Sequence, residues 1–297
     1  MLTTPAKSIL SPRHEGGWFG SCYSVNLYRG CCHGCIYCDS RSECYGIRDF
    51  DTVRAKENAL VILERELRTV RRRGVIMTGS MSDCYNPFEE QERLTRGALT
   101  LYERYGFGAA IDTKSPLAAR DGDILRAIAK HSPVSVSFTV TCADDRLSSM
   151  IEQNVAPTSR RLEALADLSA QGIPCGILLM PVLPFITDSE ENLLSVLRLA
   201  KKAGARWAFF FGGLGVTLRQ NQRLHFLNKT EELFPGMKKK YLAAFGESYE
   251  CSPPHARRLF SAVVRECEGL GLLWKMEDIS ASLLAPYDME SRQLKLF

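Results

Sequence analysis

Six of the chain's eleven cysteines, Cys22, Cys31, Cys32, Cys35, Cys38 and Cys44, fall within the first 44 residues. A disulfide framework would spread its cysteines through a small secreted chain, whereas crowding of this kind in a reducing compartment marks metal or redox chemistry. The stretch YRGCCHGCIYCDSR sets Cys31, Cys35 and Cys38 at the spacing C-x3-C-x2-C. Three thiolates so spaced can take three irons of a 4Fe-4S cluster and leave the fourth iron without a protein ligand, open to a small chelating molecule. Zinc stays as the alternative, because Cys32 offers the register C-x2-C-x2-C and His33 a nitrogen ligand. A structural zinc site wants four protein ligands, and no second CxxC or CxxH pair follows downstream. Cys84, Cys142, Cys175, Cys251 and Cys267 stand singly and read as small core residues, with Cys84 and Cys142 also weighed below for catalysis.

Ligands in this stretch need elements to hold them. From about residue 24, short β-rich runs alternate with amphipathic helical stretches, the pattern of βα units on a parallel sheet. The runs are SVNL (24–27), GVIMT (74–78), FGAAID (107–112), PVSVSFTV (133–140), PCGILLM (174–180) and ARWAFFF (205–211). Helices are predicted over 55–70, 91–105, 123–130, 159–171 and 189–203, with Gly74, Gly106, Gly172 and Gly204 as C-terminal stops after four of them. Six such repeats with right-handed crossovers give an α/β fold, a partial (βα)6 TIM-type barrel. The cysteine loop follows the first strand, so its ligands belong at the C-terminal ends of the strands, where barrels collect their active sites. Beyond Gly215 the chain turns helical and charged, over 230–241 and 255–270, with loops to the end. The expected organisation is a lead-in over 1–23, the barrel over 24–215, a helical C-terminal extension over 216–287 and a flexible tail over 288–297.

C-x3-C-x2-C with an aromatic residue before its last cysteine, here Tyr37, resembles the signature of the radical S-adenosylmethionine (SAM) superfamily. More narrowly, GCCHGCIYCDSR resembles the spore photoproduct lyase-like group of predicted DNA repair proteins. GSMSDCYNPFE (79–89), DTKSPLAARDGDIL (112–125), VSVSFTV (134–140) and LMPVLPFITDSEENL (179–193) extend that likeness over roughly residues 24–200. The resemblance implies a six-stranded partial barrel, a 4Fe-4S cluster and SAM, whose amino and carboxylate groups chelate the open iron. One electron, from a donor such as ferredoxin or flavodoxin, then cleaves the sulfonium to a 5′-deoxyadenosyl radical that abstracts hydrogen from the substrate. It also implies that Tyr37 lies beside the cofactors and that Ser82, Lys114 and Ser137 contact the methionine portion of SAM.

One departure bears on the reaction. Spore photoproduct lyases carry a hydrogen-donating cysteine three residues before the Asp of a Cys-Thr-Ser-Asp stretch, where this chain has Ser80. Cys84, beyond the aspartate, and Cys142, at the end of the fourth strand, are the catalytic candidates in its stead. At the other end of the chain, Gln293, Leu294, Leu296 and Phe297 form QLKLF, which resembles the peptide by which bacterial repair proteins dock on the DNA sliding clamp. A glutamine amide with an apolar anchor is a cheap way for a tether to gain affinity.

Composition sets the outer bounds. With 297 residues, 45% of them hydrophobic and 24% charged, the chain can fill one large α/β domain, and disorder is excluded as the default. A net charge of +4 allows a nucleic-acid groove without demanding one. The basic runs at 68–74 and 238–240 read as solvated helix ends. No run has signal-peptide or membrane-span character, so a cytoplasmic protein with no membrane partner is expected. DNA is the expected substrate. A peptide, tRNA or small metabolite is the alternative for the same chemistry, and a zinc-stabilised nucleic-acid-binding module the alternative outside it.

Overall fold

A computed structural model describes residues 1–13, 17–79 and 81–287. Its strands are β1 (Leu2–Thr4), β2 (Leu10–Pro12), β3 (Ser21–Val25), β4 (Tyr28–Arg29), β5 (Arg54–Lys56), β6 (Val75–Thr78), β7 (Gly108–Thr113), β8 (Val134–Thr139), β9 (Cys175–Leu178), β10 (Trp207–Phe209), β11 (Val216–Thr217) and β12 (Glu250–Cys251). Its helices are α1 (Ala59–Thr69), α2 (Glu89–Glu92), α3 (Leu94–Tyr105), α4 (Gly122–Ala129), α5 (Asp145–Ile151), α6 (Thr158–Ala170), α7 (Glu190–Lys202), α8 (Gln222–Leu233), α9 (Met237–Phe245), α10 (Ala256–Leu270) and α11 (Met276–Leu284).

The main sheet runs β10-β9-β8-β7-β6-β3-β2. Its first six strands are parallel and are the six expected from the sequence; β2 adds an antiparallel edge on β3. The sheet curves without closing, as a partial barrel. All six residues of β8 and all four of β6 are buried, which explains runs of apolar and small residues without alternation: one face meets helices and the other the lumen. Ile76, Ile111, Val136, Phe138 and Ile177 pack outward with Leu63, Leu99, Leu125, Leu165 and Leu197 of the surrounding helices. Val75, Met77, Ala110, Leu178, Trp207 and Phe209 pack inward.

Five local expectations are corrected. The first strand begins at Ser21 and ends at Val25, not over 24–27. The helix expected over 55–70 starts only at Ala59, because 54–56 instead pairs with β1 and β4 and Asn58 takes the left-handed conformation. The helix expected over 91–105 is two pieces broken at Arg93 (φ 51°), and that over 230–241 is broken between α8 and α9, where Pro235 lacks the amide a continuous helix needs. The final stretch, expected as loop, carries α11. Ile279 and Leu283 of this helix fill the lumen from the end opposite the cysteines, against Phe19 and Trp207. Of the four glycine stops, Gly106, Gly172 and Gly204 have positive φ and Gly74 does not. The 288–297 tail, with Gln293, Leu294, Leu296 and Phe297, lies outside the described residues. Among those described, no helix is long and apolar enough to cross a membrane.

Candidate active site

The cysteine loop leaves β4 through Gly30 (φ 81°), where a Cβ would stand 2.4 Å from the carbonyl oxygen of Thr52. Only glycine lets the loop turn this close to the 50–52 segment, whose Phe50 carbonyl accepts the Cys31 amide at 2.8 Å. The loop then pairs with the chain leaving α5. The Ile36 amide donates to Ile151 O (3.0 Å), the Asn154 amide to His33 O (3.0 Å), and Cys35 bridges Glu152 as an isolated antiparallel pair. Cys31, Cys35 and Cys38 thereby line one cavity of about 120 Å³ at the C-terminal ends of the barrel strands. Cys32 does not line it. Its side chain packs against the outer core and its carbonyl accepts from Asn154 Nδ2 at 2.9 Å.

A buried charge network supports this loop. Tyr37 is buried; its hydroxyl donates to Glu152 Oε1, and Glu152 Oε2 meets Arg161 Nη2 at 2.5 Å, with both charged side chains fully buried. Arg161 also donates to Ala156 O (2.7 Å) and Thr139 O (3.0 Å), which ties α6 to the end of β8. Across the cavity, Asp83 accepts from Thr113 Oγ1 (2.7 Å), the Lys114 amide (2.8 Å) and the Tyr85 amide (2.9 Å), and pairs with His33 Nδ1 at 3.5 Å. Those bonds bind the β6 and β7 loops to each other and to the cysteine loop.

The electrostatics follow from burial and two cations. Burial raises the Cys35 and Cys38 thiols, and Lys114 pulls each back toward the thiolate. Burial opposes ionisation of Cys31 too, but the hydrogen bond and charge of His33 overcome it and hold that thiol below its ordinary value. Burial works against the charge of Lys114, yet Cys35, Glu152 and Asp83 together keep it a cation, with its Nζ 5.7 Å from the centroid of the Tyr37 ring. Three free thiols, one lysine and an open cavity suit a soft polynuclear cluster with a position left for an anionic chelator. Among the described residues, no three His, Cys, Asp or Glu side chains lie as a ligand set for a single metal ion.

Other residues singled out from the sequence are placed as follows. Ser82 is buried on the same cavity and donates to Tyr28 O at 3.4 Å. Ser137, expected at the SAM methionine portion, is fully buried on β8 beside Asp112 and does not line the cavity. Cys84 and Cys142 do not line the cavity. Cys84 packs in the outer core with its thiol pushed well above the usual range by burial. Cys142 sits in a second apolar cluster with Ile151 and Leu183, its thiol pushed up to about 12, chiefly by burial. Ser80 lies outside the described residues. Sequence reasoning missed Glu152, Arg161, Asp83 and Asp112. Glu152, just past the end of α5, and Arg161, on α6, lie about 120 residues from the cysteines and carry no local pattern, whereas Asp83 and Asp112 lay within quoted motifs but had no assigned partner.

The model of the radical SAM superfamily matches residues 25–197. An uncharacterized protein of Mycobacterium tuberculosis is 32% identical over 226 residues, covering 74% of this chain and 66% of that protein, so the chain spans just under two thirds of that relative's length. An uncharacterized protein of Methanocaldococcus jannaschii is 31% identical over 174 residues, covering 58% of this chain and 64% of that protein. Among solved structures, a spore photoproduct lyase variant with bound AdoMet and dinucleoside spore photoproduct superposes with a TM-score of 0.63 at 12% identity, covering 86% of this chain and 76% of that one. A second variant of that lyase gives 0.63 at 14% identity, over 89% and 80% of the two chains. At such identities the likeness is one of fold. The matched family model extends over more than half of the chain and takes in all three cavity cysteines, and the chain belongs to the radical SAM superfamily.

Proposed function

We propose that this chain is a radical SAM enzyme acting on a nucleic-acid lesion or modified nucleobase, with a 4Fe-4S cluster on Cys31, Cys35 and Cys38. The observation that carries the reading is the convergence of those three thiols, and not Cys32, on one cavity with Lys114 and Ser82 at the strand ends. When bound, the cluster and SAM would supply reductive sulfonium cleavage and a 5′-deoxyadenosyl radical. This chain's residues do the rest. Lys114 offers its ammonium to a carboxylate, Ser82 a hydroxyl to the polar end of the same ligand, and Tyr37 packs the cysteine loop against Glu152. Lumen packing by α11, Phe19 and Trp207 closes the far end of the barrel and would exclude water from the site at the near end.

DNA as the substrate is supported by the fold shared with spore photoproduct lyase and by the tail motif of Gln293, Leu294, Leu296 and Phe297, which would tether the enzyme to a sliding clamp. A small acidic electron carrier such as ferredoxin or flavodoxin would supply the electron. Anaerobic reconstitution tests the core of the reading. The expected result is a visible absorbance that bleaches with dithionite, together with 5′-deoxyadenosine release stimulated by damaged over undamaged DNA. Release without DNA stimulation would move the substrate to a peptide, tRNA or metabolite, and zinc content without SAM cleavage would refute the enzyme reading. Deleting residues 293–297 should abolish clamp pull-down while sparing SAM cleavage.

A further inference from the structure

A second sheet of three strands, β1-β5-β4, leads into the cysteine loop, since Arg29 ends β4 two residues before Cys31. Register divides its side chains between two faces. Tyr28 stands opposite Ala55, and both are buried in the outer core. Arg29 stands opposite Arg54, and Lys56, two residues further along β5, falls on the same face as Arg54. The face turned away from the core therefore carries three cations, with Arg29 exposed and Arg54 and Lys56 half-buried.

Like charges directly across an antiparallel pair destabilise it, and little on this face offsets them. Arg54 meets only Asp49, at 3.7 Å, and that carboxylate is 77% exposed. Arg29 donates to Gly46 O at 2.6 Å and Arg54 to Thr52 O at 3.2 Å, both neutral acceptors. Among the described residues, neither Arg29 nor Lys56 has a carboxylate within ion-pair distance. Glu66 lies near Lys56, but its Oε2 is taken by the amides of Ile9 (3.0 Å) and Leu10 (2.8 Å). Burial, and then Arg29, hold the Lys56 ammonium below its ordinary value, so the positive charge is crowded as well as unpaired. A pairing rule broken with no gain inside the protein points to a partner outside it.

The spacing narrows that partner. Arg54 and Lys56 are one two-residue strand step apart, about 6.6–6.8 Å, comparable to the separation of successive phosphates along a nucleic-acid strand. Guanidinium forks match phosphate oxygens in pairs, and the lysine adds a point charge. The position agrees as well, because Gly30 follows Arg29 directly and approaches the carbonyl of Thr52, just before β5, where the cysteine loop turns. We infer that the outer face of β1-β5-β4 is a phosphodiester-backbone contact, in which Arg29, Arg54 and Lys56 pair with phosphates of one nucleic-acid strand. This rests on the nucleic-acid reading above and adds to it the surface that holds the backbone, whatever the base sequence.

The test uses the reconstituted full-length enzyme with SAM and a fluorescently labelled DNA duplex of random sequence, with affinity read by anisotropy across a salt series. Arg29→Gln combined with Arg54→Gln should weaken binding at least tenfold at low salt and reduce the slope of log affinity against log salt by about two, one for each contact removed. Arg29→Lys combined with Arg54→Lys, which keeps both charges, should retain most of the slope. Lys56→Gln alone should lower it by about one, and it carries the test if the melting temperature shows that the double Gln variant has unfolded. Affinity and slope unchanged in the Gln variants overturn this inference and leave the nucleic-acid reading standing. Unchanged DNA binding with slowed reduction by flavodoxin would give the face to an acidic protein and overturn it equally. Failure of the wild type to bind either duplex DNA or a folded RNA while it still cleaves SAM overturns both readings.

Discussion

Glu152 and Arg161 form an ion pair at 2.5 Å with neither side chain reaching solvent, and Glu152 also accepts from Tyr37, which lies between the second and third cavity cysteines. The pair sits under the cysteine loop, since the backbone of Cys35 bridges that of Glu152 itself. A buried pair of this kind adds little net stability, but removal of one partner strands a charge away from water.

Arg161→Met should therefore destabilise the fold by about 3–5 kcal/mol and lower iron loading, because the unpaired Glu152 must move the loop segment that it bridges at Cys35. Adding Glu152→Gln to Arg161→Met should recover most of both losses. Chemical denaturation and iron analysis of the three proteins check this, and a double variant as impaired as the single one would count against the pairing.

Replacing Cys31, Cys35 or Cys38 by Ala should each abolish iron and sulfide incorporation, while Cys32→Ala should load normally, since Cys32 faces the outer core. Equal loss from Cys32→Ala, measured as iron and sulfide per chain, would place the ligand register one residue later.

Cys84→Ala and Cys142→Ala should each cost about 1 kcal/mol, the ordinary effect of trimming a small core side chain, and leave 5′-deoxyadenosine formation and the product pattern unchanged. Neither thiol lines the cavity, and burial keeps both protonated. Altered products from either variant would assign that thiol a hydrogen-atom role from an opened conformation.

Gly79→Ala should impair SAM binding more than any conservative change nearby. Gly79 has φ of 102°, and a Cβ there would stand 2.4 Å from Asp112 O, so the β6 loop would have to withdraw from β7. Strain of about 1–3 kcal/mol is expected, read as a lowered melting temperature together with weakened SAM binding by calorimetry.

Stability should depend on pH through Asp112. Its folded pKa, about 7, lies above the ordinary 3.8 because of burial. At pH below about 4 the carboxyl is protonated folded or unfolded, and its full contribution is present. As pH rises toward about 7, only the unfolded chain releases the proton, so stability falls, by up to roughly 4 kcal/mol for the whole displacement. Asp112→Asn should flatten this part of the denaturation profile, and an unchanged slope would mean that the carboxylate ionises freely in the folded state. Trp18, Ser137, Lys114 and Asp83 are the groups that set this balance around it.

The sequence by itself determined the superfamily and the barrel. Spacing in a cysteine loop and the alternation of βα units are local properties, and a few adjacent residues suffice to express them. The C-x3-C-x2-C register, the six strands and the lysine after FGAAID were all legible in this way. Only the tertiary structure decided which neighbours matter. The bridge of Cys35 to Glu152, the buried Glu152–Arg161 support, the withdrawal of Cys84 and Cys142 into apolar clusters, and the pairing of Asp112 with Trp18 join residues up to about 120 positions apart. Such contacts depend on strand register and on desolvation, which arise only when the sheet curves and its helices close over it.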